Sequence, residues 1–249
     1  MNARVSVVTG AGQGIGRAIA LRLAQRGDHV AIAELDATAA ERVATEIRTA
    51  GGSASAHETD VVESASVDAA MNAIATRWGP PLILVNSARW TQLKPTPLRE
   101  ITDADWRKAM DVNVTGAFHC ARAASRFMVE AGWGRIVNLS SSTIHRPPGR
   151  PYVHYITTKA ALVGMTRALA RELGVAGITV NVILPGSIET EVTRHITTEE
   201  RERRARATQA IPRVIKTEDV VEAVVFLTGD GSDFITGQSL AVDGGFSFS

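Results

Sequence analysis

The sequence contains a single cysteine, Cys120, and no apolar run that approaches 18 residues. One thiol cannot form a disulfide within the chain or supply a multi-cysteine metal site, so we expect a reducing compartment and no bound metal. The first residues, MNARVSVVTG, lead directly into a strand pattern, which predicts that no signal peptide is present. With no long apolar run to form a transmembrane helix, we expect a soluble, cytoplasmic protein.

An excess of charge is also absent, since 27 basic and 26 acidic residues give a formal net charge of +1. This balance provides no electrostatic basis for binding nucleic acid or an anionic membrane, and we predict neither partner. The chain also lacks a linker rich in Pro, Ser or Gly, an internal repeat and a low-complexity tract. Its 249 residues, 45% of them hydrophobic, are therefore predicted to form one domain, 1–249.

What the sequence does contain is an alternation of short β-branched runs with longer segments of helical period. Continuous apolar strands that alternate with helices favour parallel pairing, with helices on both faces of the sheet. The sequence thus predicts an α/β fold, a single doubly wound Rossmann-type domain with a parallel sheet of about seven strands. Ligands bind such sheets outside the carboxyl ends of the strands, where strand order reverses. The predicted strands are RVSVVTG, HVAIAEL, ASAHETDV, LILVNSA, GRIVNLSS, ITVNVILPG and SLAVDGG.

The first predicted strand ends in a glycine-rich segment, TGAGQGIG, in which Gly10, Gly14 and Gly16 follow the spacing GxxxGxG and open a helix. Bare backbone there would let a pyrophosphate approach the positive N-terminus of the helix. A glycine-rich turn without a ligand is the alternative reading.

A carboxylate, Glu34, ends the second predicted strand at a distance from the glycines that is typical of a residue binding the adenosine ribose. Glu34 would repel a 2'-phosphate, and neither Gln13 nor Leu35 offers a cation to receive one. Arg17, at the helix start, could reach back and soften this effect. The pattern therefore favours NAD over NADP, and an ordinary acidic residue after a strand is the alternative.

One of only two tyrosines, Tyr155, is followed four residues later by Lys159. On a helix these residues share a face with Cβ atoms about 5–6 Å apart, so the ammonium would hold the phenol in its electric field. A nearby positive charge favours the phenolate, so the pair predicts that Lys159 lowers the pKa of Tyr155 and makes it a proton-transfer group near neutral pH. Taken alone, the spacing is also compatible with coincidence.

Seven segments in register resemble those of the short-chain dehydrogenase/reductase family, over essentially the whole chain. They are TGAGQGIG, DV at 60–61, NSA at 86–88, Asn113 in VNVTG, NLSSS, Tyr155 with Lys159, and PGSIET. Within that family, HYITTKAA, QAIPR and FITGQSLAVDGG look most similar to bacterial dehydrogenases of the 1-phenylethanol type.

The resemblance implies a cofactor site whose residues follow the carboxyl ends of the strands. Asp60 and Val61 would flank the adenine, and the turn after the sixth strand would hold the nicotinamide carboxamide. The implied cofactor-binding residues are Gly10, Gln13, Gly14, Ile15, Gly16, Glu34, Leu35, Asp60, Val61, Asn86, Ala88, Tyr155, Lys159, Pro185, Gly186, Ile188 and Thr190.

The resemblance also implies roles for four catalytic residues. Tyr155 would be the acid/base, and Lys159 would lower its pKa and hydrogen-bond the nicotinamide ribose. A serine hydroxyl would position the substrate oxygen, while Asn113 would hold a water that links Lys159 to solvent. The strand GRIVN indicates Ser141, whereas the commoner interval of thirteen residues before Tyr155 indicates Ser142. We favour Ser141, because a loop absorbs an extra residue more easily than a buried strand shifts its register.

Two further segments bear on the substrate. The family's usual NNAG is replaced by NSAR, so Arg89 stands where a glycine normally passes the cofactor, and its side chain could enter the substrate site or point to solvent. Residues 190–212, in which Thr197 and Glu200 form a capping-box pattern, are predicted to be a charged helix that covers the substrate, or else a solvated surface helix. Five basic residues in loops could bind an anionic substrate or could simply be solvated. They are His145, Arg146, Arg150, Arg194 and His195.

Together these features predict an NAD-dependent oxidoreductase that acts on a small secondary alcohol or ketone. The alternatives are a 3-oxoacyl-carrier-protein reductase, which usually uses NADPH and is disfavoured by Glu34, and a catalytically silent dinucleotide-binding regulatory protein. The resemblance implies a homotetramer built on the helices near 105–130 and 155–174 and on the C-terminal strand.

Overall fold

Seven strands form one sheet in the computed structural model, which describes residues 4–90, 94–188 and 198–248. The strands are β1 Val5–Thr9, β2 His29–Glu34, β3 Ser53–Glu58, β4 Pro81–Asn86, β5 Gly134–Leu139, β6 Ile178–Pro185 and β7 Ser239–Val242. They lie in the order β3-β2-β1-β4-β5-β6-β7, and every neighbouring pair is parallel. The order reverses between β1 and β4, so the crevice expected of a doubly wound sheet opens above these two strands.

Eight α-helices connect or flank the strands. They are α1 Gly14–Gln25, α2 Ala37–Thr49, α3 Ser64–Trp78, α4 Asp103–Met110, α5 Gly116–Ala131, α6 Val153–Leu173, α7 Thr198–Thr208 and α8 Thr217–Leu227. Between α4 and α5 the chain forms one π-helical stretch, Asp111–Thr115. A π-helical turn inside a helix often marks a functional position, and this one carries Asn113.

Two apolar layers enclose the sheet. On one face, α1 and α2 pack on β1, β2 and β3, and α8 packs on α1 and on β5, β6 and β7. Leu23, Val43 and Val224 are buried members of this layer. On the other face, α3 and α5 contribute Met71 and Cys120 to a second buried cluster. The strands are apolar on both sides because both sides are covered. The predicted α/β fold, a single doubly wound Rossmann-type domain with seven parallel strands, is confirmed.

A buried polar chain crosses the core below the crevice and joins β4, β5 and α6. The Asn86 amide donates to Asn138 Oδ1 at 2.8 Å, and the Asn138 amide donates to Thr166 Oγ1 at 2.9 Å. The Thr166 hydroxyl in turn donates to the Leu162 carbonyl at 2.7 Å. Each donor in this chain therefore has a buried acceptor, which compensates for its removal from water.

A second polar cluster lies at the opposite, amino end of the strands. The His29 ring stacks on Trp78 with centroids 3.8 Å apart, and its nitrogens contact the hydroxyls of Ser53 at 2.7 Å and Ser55 at 3.0 Å. Burial, together with the charge of His57, lowers the pKa of His29 to about 4. The ring is therefore neutral in the folded protein at neutral pH.

Candidate active site

A cleft of about 840 Å³ opens at the carboxyl ends of the strands and extends from the glycine-rich segment to α7. Most of the predicted cofactor residues lie on its wall, and they come from segments that are far apart in sequence. They are Gly10, Gln13, Gly14, Ile15, Gly16, Glu34, Leu35, Asp60, Val61, Ala88, Tyr155, Lys159, Pro185, Gly186 and Ile188. Thr190 lies outside the described residues.

Asn86, which is predicted to lie along the cofactor, does not line the cleft with its side chain. It is buried below the cleft wall, and its amide donates inward to Asn138 and to the Ala117 carbonyl. Asn86 is the last residue of β4, and its side chain belongs to the core polar chain. Its predicted contact with the cofactor stays a prediction.

The glycine-rich segment forms a cradle that larger residues would fill. Gly10 and Gly14 have positive φ angles of 63° and 57°, in the left-handed region that favours glycine. A Cβ on Gly10 would come within 2.7 Å of the Ala88 Cα, and one on Gly16 within 2.5 Å of the Gly10 carbonyl oxygen. The first turn of α1 carries no acidic residue, so its positive end is free to face a phosphate. This cradle fits a dinucleotide pyrophosphate.

Backbone hydrogen bonds hold the Glu34 carboxylate at the adenosine end of the cleft. It accepts the N–H of Gly12 at 3.0 Å and the N–H of Leu35 at 2.9 Å. Arg17 does not reach back toward it, because its guanidinium pairs with Glu46 on α2.

The sequence interpretation missed a cation in this region. Arg42, on α2, donates to the Gly12 carbonyl at 2.6 Å, so its guanidinium lies beside the glycine-rich segment. Its position six residues after Asp36, the residue that caps α2, was the available signal.

Tyr155 and Lys159, both on α6, lie beside Ser141 at the end of β5. The Ser141 hydroxyl accepts the Thr143 hydroxyl at 3.0 Å, and Ser141 lies close enough to Tyr155 to lower the pKa of its phenol. The Lys159 ammonium donates to the Leu139 carbonyl at 2.7 Å and lies 5.9 Å from the centre of the Tyr155 ring. Ser142 is also buried and begins a short 3-10 turn.

Asn113 is buried behind these residues and joins two segments of the cleft wall. Its Oδ1 accepts the N–H of Trp90 at 2.8 Å, and its Nδ2 donates to Thr158 Oγ1 at 3.1 Å. The Thr158 hydroxyl donates to the Tyr155 carbonyl at 2.8 Å. A chain of hydrogen bonds therefore links the π-helical stretch to the first turn of α6.

The electrostatics of the pair differ from the sequence prediction that Lys159 lowers the pKa of Tyr155. Burial raises the pKa of Tyr155, and the Ser141 hydrogen bond and the charge of Arg89 oppose this increase. Burial, together with the charge of Arg89, lowers the pKa of Lys159 to about 7. Lys159 is therefore a weakened cation, because its burial disfavours the ammonium.

Arg89 is an exposed residue at the cleft wall, and its charge acts on both Tyr155 and Lys159. Hydrogen bonds fix the backbone on either side of it, with the Ala88 N–H donating to Thr9 Oγ1 at 3.1 Å and the Trp90 N–H donating to Asn113. Its side chain lines the same wall as Tyr155 and Lys159.

Helix α7 closes one side of the cleft. Arg201 and Ala205 are buried, and both line the cleft together with Arg204 and Thr208. The charged helix predicted for 190–212 thus has one face against the cavity. The predicted capping residue Thr197 and the cations Arg194 and His195 lie outside the described residues.

Sequence reasoning missed three small polar residues that hold the site together. Thr9 accepts the N–H groups of Ser87 and Ala88 at 3.1 Å each, and the Ser140 hydroxyl donates to the Lys159 carbonyl at 2.7 Å. The third is Thr158. Their position at a strand end or beside a catalytic residue was the only signal in the sequence.

Comparison with known proteins identifies the family. A family model described as Enoyl-(Acyl carrier protein) reductase matches residues 10–247. The chain belongs to the short-chain dehydrogenase/reductase family. This short-chain dehydrogenase/reductase is thus an oxidoreductase of a family that binds nicotinamide dinucleotides.

Relatives of this short-chain dehydrogenase/reductase match it over nearly their whole length. It is 35% identical to the 3-oxoacyl-(acyl-carrier-protein) reductase of Pseudomonas aeruginosa, over 100% of this chain and 99% of that protein. It is 39% identical to the cis-4-hydroxycyclohexanecarboxylate dehydrogenase of Sinomonas cyclohexanicum, over 98% of this chain and 96% of that protein. A solved short-chain dehydrogenase/reductase from Serratia marcescens superposes with a TM-score of 0.90 at 35% identity, covering 98% of each chain.

In the ranges that the structure describes, no helix is both long and apolar enough to cross a bilayer. The same ranges contain no group of three or more His, Cys, Asp or Glu side chains arranged to hold a metal ion.

Proposed function

We propose that this short-chain dehydrogenase/reductase transfers a hydride between NAD and a secondary alcohol or ketone. One observation carries the proposal. Ser141, Tyr155 and Lys159 lie together on the wall of a cleft that also contains a glycine-rich cradle and a carboxylate, Glu34, held by backbone N–H groups. An acid/base beside a dinucleotide site is what hydride transfer at an alcohol carbon requires.

The mechanism follows from the positions of these side chains. In the oxidative direction, Ser141 and Tyr155 bind the substrate hydroxyl, and its proton moves to the Tyr155 oxygen as the C–H bond to the carbinol carbon breaks. When bound, the nicotinamide supplies the acceptor for that hydride, or the donor in the reductive direction. The ketone product leaves Tyr155 protonated, and Lys159 stabilises the phenolate that must form again.

The roles of the supporting residues are part of the same proposal. Lys159 hydrogen-bonds the nicotinamide ribose, and Asn113 holds a water that carries the Tyr155 proton toward solvent. Both Asn113 side-chain contacts support this role, because they fix the residue beside α6. The face of α7 on the cleft supports a role for 190–212 as a lid over the substrate.

The test is a panel of secondary alcohols assayed with NAD and with NADP by the absorbance of the reduced cofactor. We expect turnover with NAD, and we expect Tyr155→Phe to lower it at least about 10²-fold, within the range for general acid/base catalysis. Binding of NADH by the variant, measured by fluorescence, should persist because only a hydroxyl is removed. Turnover of the variant within about tenfold of wild type would exclude Tyr155 as the acid/base.

A 3-oxoacyl-carrier-protein reductase is the second candidate, supported by the 35% identity to the Pseudomonas aeruginosa enzyme. The position of Glu34 disfavours it, since that activity usually uses NADPH. A catalytically silent binding protein is disfavoured because it would need no acid/base. The narrower likeness to 1-phenylethanol dehydrogenases stays a prediction that the same panel tests.

We also propose a homotetramer that acts in the cytoplasm. Large apolar side chains are exposed on two separate faces of the protomer. Phe118 and Val129 are exposed on α5, while Phe226, Phe234 and Leu240 are exposed around α8 and β7. Two such faces would support two interfaces, which is the number that a tetramer with twofold axes needs.

A further inference from the structure

The end of the cleft where the reaction takes place is lined by cations that carboxylates do not balance. Arg89, Lys108, Arg146 and Arg150 all line it, and the only acidic residues of the described cleft wall are Glu34 and Asp60. Glu34 lies at the adenosine end, where Gly12 and Leu35 hold it, and Asp60 follows β3 on the same side of the sheet. The two acidic residues therefore lie toward one end of the cleft, and the four cations lie toward the other.

None of these four cations has an acidic partner within 4–90, 94–188 and 198–248. By contrast, Arg204, which lies on the same wall, has an acidic partner in Glu200. Arg146 instead stacks over the Phe246 ring at 4.7 Å, and Arg150 over the Tyr152 ring at 5.4 Å. Tyr152 in turn contacts Tyr155 edge to face, with centroids 5.7 Å apart. Aromatic rings therefore hold Arg146 and Arg150 in place, and both remain available to an anion.

Of these four cations, Arg89 is the one whose charge acts on both Tyr155 and Lys159. Its backbone lies between Ala88, which packs against the glycine-rich cradle, and Trp90, which is held by Asn113. Asn113 connects through Thr158 to the Tyr155 backbone. An oxidised nicotinamide would add another positive charge to the cleft that already contains Lys159 and Arg89. A negative group on the substrate would neutralise this excess.

We propose that Arg89 binds a carboxylate on the substrate, so that the preferred substrates are secondary alcohols or ketones that carry a carboxylate within a few bonds of the reacting carbon. This inference rests on the proposed function and specifies its substrate class. Guanidinium and carboxylate form a bidentate, charge-assisted pair, and such a pair orients the ligand as well as binding it. Arg146 and Arg150 add positive charge along the route to that site. The phosphates of a thioester carrier lie many bonds from the reacting carbon and would not reach Arg89.

The kinetic test compares cis-4-hydroxycyclohexanecarboxylate with its neutral carboxamide and with its coenzyme A thioester. For the wild type we expect kcat/KM to be at least tenfold higher for the acid than for the amide, which corresponds to about 1.4 kcal/mol. Arg89→Met should reduce that ratio to within about threefold, and Arg89→Lys should keep part of it because the charge remains. The ratio is informative because any effect of Arg89 on Tyr155 applies equally to both substrates.

Arg107→Met is the matched control. Arg107 is an exposed cation on α4 that pairs with Asp103 and does not line the cleft, so its loss should leave the ratio unchanged. Equal use of acid and amide by the wild type, or a preference for the thioester, would overturn the inference while leaving the oxidoreductase proposal intact. A ratio that persists in a folded Arg89→Met variant would overturn the assignment to Arg89.

A binding measurement tests the inference even if none of these alcohols is turned over. Calorimetry of cyclohexanecarboxylate and of cyclohexanecarboxamide, in the presence of saturating reduced cofactor, compares the two ligands without any reaction. We expect the acid to bind at least tenfold more tightly in the wild type, and the difference to disappear in Arg89→Met. Equal binding by the wild type would refute carboxylate recognition, whereas absence of turnover with tight acid binding would refute only the proposed reaction.

Discussion

Removal of the Glu34 carboxylate should change which dinucleotide the enzyme uses. Glu34 is fixed at the end of β2 by the N–H groups of Gly12 and Leu35, at 3.0 and 2.9 Å, and its side chain faces the cleft. In NAD the ribose offers hydroxyl donors to this carboxylate, whereas in NADP a phosphate would replace one of them. We therefore predict that the wild type prefers NAD to NADP by at least tenfold in kcat/KM.

The magnitude follows from the charges that would meet at this position. Two like charges about 4 Å apart repel by about 4 kcal/mol at an effective dielectric constant near 20, before screening by salt. A tenfold preference requires only about 1.4 kcal/mol, so it survives the loss of more than half of that repulsion. Arg42 opposes the effect, because its guanidinium lies at the Gly12 carbonyl, 2.6 Å away. Arg17 does not, since Glu46 holds it.

The assay is steady-state kinetics with one alcohol and both cofactors. Glu34→Ala should lower the preference for NAD at least tenfold, and Glu34→Ala with Leu35→Arg should reverse it. Glu58→Ala is the matched control, because Glu58 pairs in register with Glu34 at the end of β3 but is exposed and lies away from the cleft wall. Arg42→Ala should widen the wild-type preference.

Equal efficiency of the wild-type enzyme with NAD and NADP would refute the reasoning. So would a preference that survives Glu34→Ala or that disappears equally in Glu58→Ala. Either result would mean that the carboxylate held by Gly12 does not face the ribose.

Three further predictions concern the catalytic serine, acid stability and assembly. Ser141→Ala should lower turnover by about 10²-fold or more, as expected for loss of a donor to the reacting oxygen. Ser142→Ala should lower turnover by less than about tenfold. Equal or reversed losses would assign the catalytic role to Ser142. As the pH falls from 6.5 toward 4, the free energy of unfolding should decrease by up to about 3 kcal/mol. In this pH window His29 becomes protonated in the unfolded chain but stays neutral in the folded protein, where its pKa is about 4. His29→Gln should flatten that dependence in chemical denaturation, and an unchanged slope would contradict it. Light scattering at micromolar concentration should give about four times the 26.5 kDa protomer mass, and a monomer mass would exclude the tetramer.

The fold could be predicted because it depends on patterns that are local in the sequence. All seven strands are β-branched or small-residue runs, and a parallel sheet covered on both faces requires such runs. The glycine-rich turn of TGAGQGIG could also be predicted from the sequence, because Gly10 and Gly14 adopt backbone angles that other residues rarely adopt. The spacing of Tyr155 and Lys159 gave their common helix face in the same way.

What could not be predicted depends on neighbours that are distant in sequence. Burial raises the pKa of Tyr155, whereas Ser141 and Arg89, which follow β5 and β4, lower it, and this balance depends on the folded structure. The π-helical stretch around Asn113 was not readable from VNVTG. The family resemblance implied that Asn86 lies along the cofactor, but it did not indicate that the Asn86 side chain takes part in a hydrogen-bond chain in the core.

That core chain has a consequence for the precision of catalysis. Tyr155, Lys159, Leu162 and Thr166 lie on one face of α6, and Thr166 is held by Asn138, which is held by Asn86. Rotation of α6 by one residue would turn this face by about 100° and leave the Asn138 amide unpaired, and each such buried group costs about 1–3 kcal/mol. A helix with only apolar contacts could rotate against the sheet at little cost in free energy, whereas α6 has one favoured rotation about its own axis. The orientation of the Tyr155 phenol therefore depends on the side-chain amides of Asn86 and Asn138, which act on α6 three helical turns away from Tyr155.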